Sequence, residues 1–534
     1  MNSCFRGDCR WPELPVLYSI DADFWKFRVI FACPATEDFF RSRIDHMIDL
    51  RHPLAVLASR MPWQQIEASV AQVFSRKGRT GQALPDLDLF GEQVQRAAAS
   101  SNAGRPRVPL RVMISLLYLK HAFNESDEGV VARWADTPRW QFFSGCAYYE
   151  DRLPCDASTL VKFRQLLGEE GVEELLAQTI HVAVDLKLIK TQDLTRVIVD
   201  TTVQPKAIAH PTDSRLLETA RAKLVESAKD AGIELKQTFA REGKQLSRQA
   251  GRYAHARQFQ RMRRAIKRQR TIVGRLQREI DRKASALGQA VRQALDGALS
   301  KAARIAAQSG QRKAVDGQRK LYAWHAPEVE CISKGKARQP YEFGVKVGVA
   351  STLRGNLMVG ARTFAGNPYD GHTLGEQLEQ AAILMQDSQT QPETVFVDLG
   401  YRGVDADNAN VRIVHRGKSK RLSEQERKQL RRRQAIEPIT GHLKNDHRMD
   451  RCHLKGEQGD RLHAVLCAAG YNIKWLLREI AKKGLAFLLQ LYLRLCKSAA
   501  ISPNWPQKLR RLTLPRFDVH QVMQPNGCSP MPLG

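Results

Sequence analysis

The chain has 534 residues, 43% of them apolar, which makes it too long for one ordinary domain and too apolar for a disordered one. Its 84 Lys and Arg against 56 Asp and Glu leave a formal charge of +28, and so large an excess favours a polyanionic partner, because each phosphate neutralised releases condensed counterions. A membrane partner is disfavoured: the longest apolar run, Gly484 to Leu493, is interrupted by Gln490 and ended by Arg494, well short of the ~20 residues a span needs.

The opening residues, MNSCFRGDCR, lack the apolar block of a secretory signal, and the ten cysteines are scattered singly with no C-x-x-C pair. Both features predict reduced thiols in a cytosolic protein. Residues 1–36 read as an irregular extension, since Trp11-Pro12, Pro15 and Cys33-Pro34 break any period. From 37 to 190 the pattern is helical, with Pro109 opening an apolar run to Lys120 and Pro154 preceding another helix at Ser158–Leu167. An all-α N-terminal domain follows. At Thr195 the period changes. Arg196-Val-Ile-Val-Asp200 reads as a buried strand, and further strands are predicted at Tyr341–Thr352, Asn356–Phe364 and Thr394–Asp398, with a weaker one at Val411–His415. Helical patterns at Leu374–Met385 and Glu424–Ile436 complete an α/β domain with a mixed sheet over 191–480, followed at 481–534 by a C-terminal helix and an irregular tail.

Residues 214–320 interrupt that rhythm. They hold 27 Lys and Arg against 9 Asp and Glu and no proline, so they read as a long basic helical insertion after the first strand, such as a helical hairpin. It is either a DNA-contacting arm or a solvated arm for dimer contacts.

Asp200 and Asp398 each close a predicted apolar strand. A carboxylate there is costly unless it is paired, caps a turn or coordinates a cation. Glu437 follows Arg433 by four residues and precedes Lys444 by seven, a spacing that puts cations beside a third carboxylate, although Pro438 starts or kinks the helix at that point. Three carboxylates are what two hard divalent ions need for phosphodiester chemistry, with Arg433 and Lys444 suited to phosphates.

Four strings carry a resemblance: Ile198-Val-Asp200-Thr-Thr-Val-Gln-Pro-Lys-Ala-Ile-Ala-His-Pro-Thr-Asp213, Gly366-Asn-Pro-Tyr-Asp-Gly-His-Thr-Leu374, Val397-Asp-Leu-Gly-Tyr-Arg-Gly403 and Ile436-Glu-Pro-Ile-Thr-Gly-His-Leu-Lys444. Together with Gly104-Arg-Pro-Arg107 and Arg152-Leu-Pro-Cys-Asp-Ala-Ser158, they resemble IS5-family insertion-sequence transposases over roughly residues 37–480. The resemblance implies a DDE enzyme with a ribonuclease-H-like α/β domain. Asp200, Asp398 and Glu437 would be its catalytic and metal-binding triad, holding two Mg²⁺ or Mn²⁺ ions. It further implies DNA partners, namely terminal inverted repeats and target DNA, and a homodimer or higher synaptic complex. Leu430 stands where the family's signature tyrosine would precede Arg433.

Tyr401 and Arg402 stand either against the DNA backbone or in a turn. Arg105 and Arg107 belong either to a minor-groove arm or to a basic loop. Asn367-Pro-Tyr-Asp370-Gly reads first as a turn, Asp213 as a helix cap, and His447 and His453 as part of a phosphate-facing stretch. A nuclease without strand transfer and a non-catalytic transposase-derived DNA-binding protein are the rival readings.

Overall fold

The computed structural model describes residues 42–71, 108–287, 289–311, 319–333, 340–405 and 407–500. The predicted N-terminal extension, Arg105 and Arg107, and the tail after Ala500 lie outside the described residues. Among the described residues eight helices precede the first strand: α1 (Ile44–Met47), α2 (Pro53–Arg60), α3 (Trp63–Ala71), α4 (Leu110–Ala122), α5 (Asp127–Asp136), α6 (Pro138–Phe143), α7 (Ala157–Asp185) and α8 (Thr191–Leu194). Local chemistry sets their limits. The Ser126 hydroxyl accepts from Gly129 N at the start of α5, and Asp156 accepts from Ser158 N at the start of α7. Gly168, at φ +69°, breaks α7 where the predicted helix ends.

The sheet follows. β1 (Arg196–Pro205) lies antiparallel to β3 (Tyr341–Thr352) and parallel to β5 (Thr394–Phe396), and β5 lies parallel to β6 (Arg412–Val414). β2 (Glu330–Ser333) and β4 (Met358–Phe364) both pair antiparallel with β3, on the edge β1 leaves free. The sheet is therefore mixed, as expected. β2 was not predicted, and β1 runs five residues past the predicted strand end at Asp200. The remaining helices are α13 (Leu374–Leu384), α14 (Glu424–Arg432), α15 (Ile436–Asp446) and α16 (Gly456–Ala500).

The helices before β1 do not form a separate core. One apolar cluster runs through Leu116 of α4, Leu175 of α7, Val349 of β3, Phe396 of β5 and Ile473 of α16. α16 crosses α4 at Gly470, where a Cβ would lie 2.5 Å from the His121 carbonyl carbon, so the crossing needs glycine. One turn's reach along α16, the buried Asn472 amide bonds both the N–H and the C=O of Met358, each at 2.9 Å, and so occupies backbone groups of β4. Lys206, just past β1, is buried with Glu328 at 2.7 Å and Asp460 of α16 at 2.9 Å, tying the strand's far end to that helix.

The insertion is four helices rather than a hairpin: α9 (Asp213–Asp230), α10 (Ala240–His255), α11 (Phe259–Leu287) and α12 (Gln289–Gln308). They have a second apolar cluster of their own, including Leu217, Leu224, Ile272, Leu276, Ile280 and Ile305. Thr212, not Asp213, caps α9. The Asp213 carboxylate instead accepts from Gly310 N at 2.8 Å, which closes the base of the insertion. No described helix is long and apolar enough to cross a membrane.

Candidate active site

Two carboxylates come together through strand register. β1 and β5 pair Arg196 with Thr394 and Ile198 with Phe396, and the same register carried two residues further sets Asp200 level with Asp398. Asp200 lies inside β1 opposite Val349, so it does not end its strand. Asp398 does leave its strand, and it caps the following 3-10 turn by accepting from Gly400 N at 2.8 Å.

A third carboxylate enters from a position given little weight in the sequence. Thr201, next to Asp200, donates to Asp370 Oδ1 at 3.0 Å, and Lys346 of β3 donates to the same oxygen at 2.9 Å. Asp370 and Asp398 converge on Gly400, where a Cβ would stand 2.9 Å from Asp398 Oδ1 and 3.2 Å from Asp370 Oδ2. Tyr401 sits among these acids. It is 1% exposed, and its phenol is pushed well above the ordinary range, by burial first and then by the charges of Asp200 and Asp370. Its burial puts Tyr401 in the turn rather than against DNA, the second of its two expected roles, while Arg402 beside it is exposed.

The segment carrying Glu437 packs against β1 from α15. Arg433 Nη1 lies 3.6 Å from Asp200 Oδ2, with both side chains largely buried. Arg433 and Glu437 do not share one straight helix, because a 3-10 turn at Arg433–Ala435 separates α14 from α15 and Pro438 sits in the first turn of α15. Glu437 is exposed, with no side-chain hydrogen bond or ion pair to the described residues. Lys444, at the other end of α15, reaches Glu342 of β3 at 3.3 Å. Among the described residues no three carboxylates bring an oxygen each within 4.8 Å of one another. Asp200 and Asp398 are thus assembled, and Glu437 stands outside them.

The one described group with three such donors within 4.8 Å is His121, His463 and Cys467, buried between α4 and α16. Cys467 Sγ lies 3.7 Å from His121 Nδ1, and His463 Nε2 bonds the Arg448 carbonyl at 2.9 Å, so the cluster satisfies its own polar atoms. His447 is also buried, bonding the His121 carbonyl at 2.9 Å, and not on a phosphate-facing surface as expected, whereas His453 is exposed.

Residues 81–166 match the transposase domain family DUF772, and residues 296–473 match the family described as transposase DDE domain. The DDE match contains Asp398, Glu437 and Lys444 and begins after Asp200. The chain is 41% identical over 222 residues to "Uncharacterized protein ORF8 in nfe locus" of Rhizobium meliloti, an overlap of 42% of this chain and 95% of that protein. No solved structure matches. The chain thus carries two transposase domains in order along it, and together they support a DDE transposase of an insertion sequence.

Proposed function

We propose that this transposase binds the terminal inverted repeats of its element, hydrolyses a phosphodiester at each end and joins the freed 3′-hydroxyl to target DNA, as an IS5-type enzyme with a ribonuclease-H-like domain. The observation that carries the reading is the placement of Asp200 within β1 and of Asp398 just past the neighbouring parallel strand β5, each two residues beyond the pair Ile198–Phe396, beside a helix with Glu437 in its first turn. The donors are carboxylate oxygens, which fit Mg²⁺ or Mn²⁺. Asp200, Asp398 and Glu437 would hold two such ions. When bound, the ions supply Lewis acidity to the attacking and leaving oxygens.

The protein's own groups have separate tasks in this reading. Glu437, exposed and unpartnered among the described residues, swings inward to complete the set. Arg433 gives up Asp200 and turns its guanidinium to a phosphate. Lys346 and Thr201 hold Asp370 against the Gly400 turn, and so fix the direction of Asp398. Arg402 and Lys444 contact the DNA backbone at the rim. Two element ends must be brought together, so a homodimer or larger synaptic complex is the working form.

The test is a strand-transfer assay with labelled DNA carrying the element's ends, an unlabelled target and Mg²⁺ or Mn²⁺. Nicking at the ends followed by metal-dependent joined product is the expected result. Cleavage with no joining, on correct ends, would contradict it.

A further inference from the structure

We infer that the exposed basic face of α11 is a binding surface for the phosphate backbone of duplex DNA, gripping it without regard to sequence. The inference rests on the DNA-processing reading above and adds a surface that the carboxylate site does not contain.

On α11 the residues Arg264, Lys267, Thr271, Arg275, Arg278 and Arg282 follow one another at helical steps of three and four, and all six are exposed. They lie opposite the buried row Ala265, Gln269, Ile272, Leu276 and Ile280, which faces α9 and α12. From Arg264 to Arg282 the row is about 27 Å long at 1.5 Å per residue, most of a turn of B-DNA at about 34 Å. None of its five cations has an ion pair with the described residues. The paired cations of this helix, Arg268 with Glu242 and Lys283 with Glu279, lie outside the row, on the side toward the buried face.

Like charges three and four residues apart repel one another along a helix. A helix serving only as a solvated strut would alternate its signs, as ordinary surface helices do. Here the repulsion is left standing on a rigid helix whose apolar side is committed to the core of the insertion. A polyanion with closely spaced charges relieves it, and duplex DNA carries one charge per about 1.7 Å of axis. A lipid surface is a poorer fit, because an interfacial helix must bury its apolar face in the membrane, and that face is already covered. A second copy of the chain is poorer still, since the row offers neither an apolar anchor nor an acidic complement. The insertion leaves β1 a few residues beyond Asp200 and closes at Asp213–Gly310, so this helix is tethered to the strand that carries the first carboxylate.

The experiment uses the full chain and a random-sequence duplex, with affinity measured from 0.05 to 0.3 M KCl. One variant combines Arg264→Gln, Lys267→Gln, Arg275→Gln and Arg278→Gln. Glutamine keeps helix propensity and the sites are exposed, and circular dichroism checks the fold. A charge-conserving variant combines Arg264→Lys, Arg275→Lys and Arg278→Lys. The glutamine variant is expected to bind about tenfold or more weakly at 0.1 M KCl, with the slope of log K against log salt reduced by about 2–4, while the lysine variant keeps the wild-type slope. Metal-dependent cleavage of end-bearing DNA by wild type is read in parallel, so failure of the α11 surface (an unchanged salt slope) and failure of the catalytic reading (no cleavage) give different results. The inference is overturned if the glutamine variant keeps the wild-type slope, or if its loss appears only in self-association or in sedimentation with anionic vesicles.

Discussion

Arg433 Nη1 stands 3.6 Å from Asp200 Oδ2, so the carboxylate that lies inside the sheet already has a cation at its side. In water such a pair is weak, but these two side chains are only 14% and 23% exposed, and the attraction is correspondingly less screened. A divalent ion at Asp200 competes with Arg433 for the same oxygens. Arg433→Gln is therefore expected to tighten Mn²⁺ binding to the DNA-free protein, by about tenfold for one unit charge removed at short range. Titration calorimetry or the Mn²⁺ resonance signal reads this directly. Equal or weaker Mn²⁺ binding would show that Arg433 does not occupy the ion's place.

The α4–α16 junction makes the fold acid-sensitive. Burial lowers His447 to about 4 and His463 to about 3, against an ordinary value of 6.5. Between those values the unfolded chain takes up protons that the folded chain refuses, so stability is full above about pH 6.5 and falls as the pH drops. From pH 7 to pH 5 each histidine contributes a loss of about 2 kcal/mol in unfolding free energy. Urea unfolding at the two pH values measures the sum. His121 beside it is also held well below its ordinary value by burial, so His463→Gln should flatten the dependence by about a third, and a pH-independent wild type would refute the assignment.

Lys206 has two buried acidic neighbours, Glu328 and Asp460. Lys206→Met leaves both without their cation, and the expected loss is about 3–5 kcal/mol near neutral pH. The deficit should shrink on acidification as the stranded carboxylates take up protons, which the difference between mutant and wild type at pH 8 and pH 5 reveals. A deficit that is the same at both values would mean that packing, not charge, is what the lysine supplies.

Much of this was legible in the sequence, for identifiable reasons. β3 and β4 announce themselves through β-branched alternation, and the basic, proline-free stretch after β1 announces a helical insertion. The length of β1 was hidden, because Thr202 and Gln204 are polar and yet buried, Gln204 bonding the Asp460 carbonyl from far along the chain. β2 is four residues long with a glutamate in it, and only its pairing with β3 makes it a strand. Asp370 was obscured by a strong local turn signal. What draws it to the site is Thr201 and Lys346, which lie on strands that no local window connects to it. The Arg433–Glu437 spacing suggested one helical face, but the 3-10 turn and Pro438 divide that face. Tyr401 was open to either a DNA contact or a turn role because it follows Asp398 closely, and only the fold shows that it is buried.

The central claim is that Asp398, level with Asp200, takes part in metal-dependent chemistry on DNA. The measurement that tests it most directly is cleavage of end-bearing DNA by wild type and by Asp398→Ala, compared at matched DNA occupancy with Mg²⁺, with Mn²⁺ and with chelator. The account predicts that wild type cuts only with the metal and that the variant binds equally well but is slowed by about a hundred- to a thousandfold, the scale expected when a group that stabilises the reacting charge is removed. A variant that cuts at the wild-type rate with the same metal dependence would contradict it.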